Sequence, residues 1–162
     1  MEKVAKNDLF IRWMYEAYRM ETSMMPILEH HISDAEGHPK LQARLHEHLE
    51  ATHHHADLVS SCLERLGEAR PVDGDGVSPL ENAHTVTNGA AGDLLIKDGL
   101  NDYSTENFEI ATYKALITAA RDLGQMDCER SFQEILDDEQ KMADWLDVNL
   151  PLLVEQTIRH AA

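Results

Sequence analysis

The chain has 162 residues, 43% apolar and 27% charged, with 30 Asp and Glu against 14 Lys and Arg, giving a net charge of −16. Such a length accommodates one domain with a buried core. The acidity excludes nucleic acid and anionic membrane as natural partners, because both repel a surface of this sign. Two cysteines, Cys62 and Cys128, are too few for a disulfide framework and lie in no CxxC motif, residues 1–7 contain no apolar targeting segment, and no run approaches the roughly 20 apolar residues of a membrane span, so the expectation is a soluble cytoplasmic protein.

Apolar residues recurring at three and four predict a first helix over 8–32, with Asn7 and Asp8 as caps and Phe10, Met14, Ala17, Met24, Leu28 and Ile32 inward. Pro26 should kink it. Glu21 falls inside this apolar series. Pro39 opens a second helix over 39–66, with Leu41, Leu45, Leu49, Thr52, Val59 and Leu63 expected on its buried side and Gly67 as its stop. Residues 68–77 hold one Pro and two Gly and read as an exposed connection. The capping box Ser78-Pro79-Leu80-Glu81 predicts a short accessory helix over 79–87. A third long helix is expected over 93–123, although Gly99 weakens its first turns, and a fourth over 127–149, ended by Pro151 and followed by a tail over 151–162. No period-two alternation marks a strand. Two antiparallel helix pairs joined by one long crossover describe an all-α, ferritin-like four-helix bundle.

Chemistry concentrates in the middle of the second helix, Glu47-His48-Leu49-Glu50-Ala51-Thr52-His53-His54-His55. Glu50 and His53 stand three apart, so on a helix they share a face and can address one ion. A Glu-x-x-His pair joined by single Glu residues from neighbouring helices is the unit of carboxylate-bridged iron or manganese centres. Glu21, Glu106, Glu109 and Glu139 each interrupt an apolar stripe, where an unpaired carboxylate costs several kcal/mol. Arg19 and Lys141 lie off those stripes, which leaves a divalent cation as the neutralising partner. Heights also agree: Glu21 and His53 stand equally far from the bend at Gly37, as do Glu109 and Glu139 from Gly124.

Four stretches in order, Tyr18-Arg19-Met20-Glu21, His48 to His53, Glu106 to Tyr113, and Leu136-Asp137-Asp138-Glu139, resemble the YciE/YciF group of stress-associated ferritin-like bacterial proteins over most of residues 8–147. The resemblance implies a di-metal centre with Glu21, Glu50, His53, Glu106, Glu109 and Glu139 as candidate ligands, and dimers of bundles rather than cages. One departure stands out. A symmetric centre needs a second Glu-x-x-His on helix four, yet Gln140, Lys141 and Met142 follow the acids, and Ala143 replaces an acidic residue common in the group. Helix four then offers only Glu139, or Asp138 if it is rotated.

Two functions are therefore expected to compete. One is a centre of one or two iron or manganese ions that oxidises Fe(II) with oxygen or peroxide, as a ferroxidase or a peroxide-consuming oxidoreductase in a stress response. The other is a non-catalytic homodimeric scaffold with a degenerate site. Of the remaining histidines, His55 is expected to face outward or line an interface, and His30 and His31 to complement a helix C-terminus. Tyr113 is read as core packing ahead of a hydrogen-bonding role beside the metal.

Overall fold

The computed structural model describes residues 2–72 and 92–160, the side chains from residue 6 onward, and its elements are α1 (Glu2–Asp34), α2 (Pro39–Arg65), α3 (Leu94–Asp122) and α4 (Met126–His160). The expected accessory helix over 79–87 and most of the connection around it lie outside the described residues.

Inward positions on all four helices alternate steps of three and four, the spacing that keeps a seam facing its partners. On α1 the seam is Phe10, Met14, Ala17, Glu21, Met24, Leu28 and His31; on α3 it is Asp102, Glu106, Glu109, Tyr113, Leu116 and Ala120, all of them buried. Each helix packs against two others, with α1 opposite α4 and α2 opposite α3 on the diagonals. Contacts fix the directions. Tyr113 meets Glu21 while His31 meets Asp102, so α1 and α3 are antiparallel. His54 meets Glu134 while Arg65 approaches Asp127, so α2 and α4 are antiparallel as well. With α2 antiparallel to α1, α2 and α3 run the same way, so α2 ends and α3 begins at opposite ends of the bundle. This is the single crossover of a ferritin-like fold.

The bends form where left-handed backbone is available. Gly67 (φ 87°) and Gly124 (φ 71°) end α2 and α3, and the next residue reaches back in each case: Glu68 N–H donates to the Leu63 carbonyl at 3.1 Å, and Gln125 N–H to the Ala120 carbonyl at 2.8 Å.

Two expectations about helix ends are corrected. The first helix begins by Glu2, ahead of the expected caps at Asn7 and Asp8. The fourth does not stop at Pro151 but continues through it to His160. Pro151 removes one backbone donor, yet the helix carries through it, and beyond it Leu152 and Leu153 line a cavity with His38, Pro39 and Leu41. Gly99, which weakened the helix prediction, has a packing reason: a Cβ there would lie 2.9 Å from Leu150 Cδ1, so its absence lets α4 approach α3 closely.

Candidate metal centre

Midway along the bundle the four seams stop being apolar at one level. α1 supplies Glu21, α3 supplies Glu106 and Glu109, and α4 supplies Glu139; none of the four is more than 2% exposed. Sequence reading placed these four acids on inward stripes, and the structure brings them together. From α2 come His48 and His55, at 5% and 0% exposure, seven residues apart on the seam Leu45, His48, Thr52, His55, Val59, Cys62.

The other two expected ligands are displaced. Glu50 and His53 are exposed on the opposite side of α2, so the Glu-x-x-His pair is not part of the buried cluster. His55, expected to face outward, is fully buried. The physical reason is rotational. At 3.6 residues per turn, two residues move a side chain only about 3 Å along the axis but about 200° around it. Height matching against Gly37 therefore found the right level and the wrong face.

The cluster divides into two groups that share a residue. His48, Glu106, Glu109 and Glu139 form one, and Glu21, His55 and Glu139 the other; within each group, one ligand atom per residue lies within 4.8 Å of all the rest. His48 Nε2 is 2.9 Å from Glu106 Oε1. His55 Nδ1 is 2.8 Å from Glu139 Oε1 and 3.6 Å from Glu21 Oε2, while its Nε2 is 3.5 Å from Asp138 Oδ2. Asp138 itself is only partly buried and accepts a hydrogen bond from Lys141. Of the two helix-four acids read as alternatives, Glu139 lies in both groups and Asp138 at the edge of one. Tyr113 Oη donates to Glu21 Oε1, which gives that ring the hydrogen-bonding role as well as its place in the core.

Proximity here is not satisfaction. Glu21 Oε2, Glu106 Oε2, both carboxylate oxygens of Glu139 and both ring nitrogens of His55 are buried without an aligned hydrogen-bond partner. The short His55–Glu139 approach is close enough for an ion pair but poorly directed for a hydrogen bond. Unsatisfied buried polar atoms are costly, and so many at one level call for an explanation. Burial, then the neighbouring carboxylates, raise Glu139 to about 8; burial chiefly raises Glu106 to about 8 and Glu109 well above the ordinary carboxylate range. Burial would lower His55, but Glu139 and Glu21 more than offset it and raise the imidazole to about 11, whereas burial prevails at His48 and lowers it. Without a cation, then, Glu106, Glu109 and Glu139 retain protons. Carboxylate oxygens and imidazole nitrogens converging in pairs of groups, with lone pairs unspent, fit a divalent metal ion.

His31 is in the last turn of α1, as expected, but its ring turns inward: Nδ1 lies 2.8 Å from Asp102 Oδ1 and Nε2 3.5 Å from Asp98 Oδ1. No helix among the described residues is long and apolar enough to cross a membrane. Cys62 and Cys128 are free and buried.

Known proteins share this arrangement of helices. The pattern of a family described as a domain of unknown function (DUF892) matches residues 5–159. A protein from Xanthomonas campestris pv. campestris is 27% identical, with a TM-score of 0.82 over 96% of this chain and 98% of its own. YcfI from Rhodopseudomonas palustris is 23% identical, with a TM-score of 0.75 over 88% and 92%. The E. coli stress protein YciF is 22% identical, with a TM-score of 0.73 over 93% and 97%. The last two likenesses concern the fold.

Proposed function

The chain belongs to the DUF892 family, in keeping with its resemblance to the YciE/YciF group, and on that premise we propose that it binds two divalent ions, iron or manganese, and oxidises Fe(II) with oxygen or peroxide. One observation carries the proposal: Glu139 belongs to both buried groups, and each group also holds one imidazole, His48 in one and His55 in the other. His48, Glu106 and Glu109 would complete one ion's donors, and Glu21 and His55 the other's. Hard oxygen donors with one imidazole per ion favour iron or manganese over the thiolate-seeking metals. Ferrous iron held there would supply the electrons that reduce oxygen or peroxide. The residues do the rest. Glu106, Glu109 and Glu139 would lose their retained protons on binding, Tyr113 fixes the orientation of Glu21, and the apolar layer toward Phe10 and Phe132 excludes bulk water from that side. The free thiols Cys62 and Cys128 favour a reducing cytoplasm as the setting.

A second reading, a homodimeric scaffold with a degenerate site, has its own observations. Met142 is buried where a second Glu-x-x-His would place its imidazole, and α4 exposes Val148, Leu152 and Ile158. Elemental analysis decides between them. After anaerobic loading with Fe(II) or Mn(II), the native protein should retain two equivalents and Glu139→Ala fewer than one. A native protein that retains none supports the scaffold.

A further inference from the structure

The ionisable residues of α3 do not end at the metal centre. Asp98, Asp102, Glu106 and Glu109 follow one another at steps of four, four and three, a continuous line along one face. Exposure falls steadily inward: the side chain of Asp98 is 13% exposed, that of Asp102 3% and that of Glu106 1%. At its outer end the line opens into a cavity of about 420 Å³ at the end of the bundle, between the start of α2 and the α4 segment around Pro151. Leu41, Leu45, Leu95 and Leu153 are among its walls; His31, Asp98 and Asp102 are its ionisable floor, and Lys40 stands at the exposed rim.

We infer that this cavity and the line Asp98, Asp102, Glu106 form the uptake path by which divalent cations reach the buried centre. The inference rests on the metal-binding reading above.

An ion moving from that cavity to the buried centre must pass between packed seams, so a path along α3 has to be built from groups that can replace its water. Asp98 Oδ2 is buried without a hydrogen-bond partner, and so is Glu106 Oε2 at the inner end, where the side chain is almost wholly buried. Between them Asp102 holds His31 at 2.8 Å, and Asp34 and Asp98 flank the same ring. Even with His31 protonated, three carboxylates surround one positive charge, so the floor attracts cations. Burial, with Asp34 and Asp102 nearby, raises Asp98 to about 6 even though the His31 ring 3.5 Å away opposes the rise. Apolar walls of low dielectric strengthen that attraction for an ion in the cavity. Each step along α3 is about one helical turn, a distance an ion can cross by exchanging one carboxylate for the next.

The test separates rate from capacity. Stopped-flow Co(II) loading, followed by the visible bands of the bound ion, is compared in the native protein, Asp98→Asn, Asp102→Asn and a control, Glu134→Gln, which removes one exposed carboxylate on α4. Loading should slow about tenfold or more in Asp98→Asn and Asp102→Asn. Final Co(II) stoichiometry and helical circular dichroism should be unchanged, and the control should load at the native rate. Native loading in Asp98→Asn, or equal slowing in the control, overturns the path while leaving the centre standing. A native protein that takes up no Co(II), Fe(II) or Mn(II) overturns both. Should Asp102→Asn unfold, Asp98→Asn, at a partly exposed position, still decides.

Discussion

Toward the N-terminus of α1 the inward seams carry Phe10, Met14, Cys62, Leu116, Cys128 and Phe132; toward the α1–α2 bend the same spacing carries His31, His48, Asp102 and Glu106. In the first region the rings of Phe10 and Tyr113 pack on Phe132 at centroid separations of 6.3 and 6.1 Å, and the layers behave as an ordinary apolar core. The second region is equally buried but holds unpartnered carboxylates and a cavity. Burial is thus nearly the same and its energetic sign is not: one end stabilises the fold, and the other is held in place by it at a cost that a bound cation would remove.

The largest effect should come from breaking the apolar end. Phe132→Ala removes a fully buried ring that two other rings touch, and should cost about 3 to 5 kcal/mol in urea denaturation. Molecules that remain folded should keep their metal capacity, since Phe132 belongs to neither ligand group and reaches Glu21 only through Tyr113. If the variant instead loses metal at unchanged stability, the division of labour between the two regions is wrong.

The polar end should show itself through pH. Glu106 and Glu139 are raised in the folded state to about 8, and an unfolded glutamate titrates near 4.5. Between those values the folded metal-free protein holds more protons than the unfolded chain, so stability is full below about pH 4.5 and is lost as pH rises toward 8. His55, raised from 6.5 to about 11, has the same sign, with its loss beginning above 6.5. His48, lowered by burial, opposes them below 6.5. The metal-free protein should lose roughly 3 kcal/mol or more between pH 5 and pH 8 by urea denaturation. With Mn(II) in excess, binding expels those protons and the slope should flatten or reverse. A metal-free protein that gains stability over this interval would mean the carboxylates are ionised and paired with something else.

How much of this was legible in the sequence differs between helices for a definable reason. On α1, α3 and α4 each acid interrupts a dense apolar stripe, so the stripe fixed the face, and Glu21, Glu106, Glu109 and Glu139 were found. On α2 the stripe is ambiguous. Leu41, Leu45 and Leu49 form a steps-of-four row that drifts around the helix, and following it puts Leu49 inward and His48 outward. The seam that the structure uses runs Leu45, His48, Thr52, His55, Val59, Cys62, alternating three and four, and three of its six members are polar. Hydrophobicity could not reveal a seam half of whose members are polar, but the seven-residue spacing of His48 and His55 could have. Pro151 misled for a different reason: it removes one backbone bond and disfavours a helix interior without forbidding it, and the helix carries through to His160.

The smallest expected effect sharpens the comparison most on α2 itself. Glu50→Ala and His53→Ala alter exposed side chains, Ala favours helix, and neither residue belongs to a ligand group, so each should change stability by no more than about 0.5 kcal/mol. Metal content after Fe(II) or Mn(II) loading should equal that of the native protein. His48→Ala and His55→Ala, at neighbouring positions on the same helix, should each lose an equivalent of metal. The four variants together read the rotation of α2 directly. If Glu50→Ala or His53→Ala abolishes metal uptake while His55→Ala leaves it intact, the helix is turned the other way in solution, and the pair found by sequence spacing is the ligand pair after all.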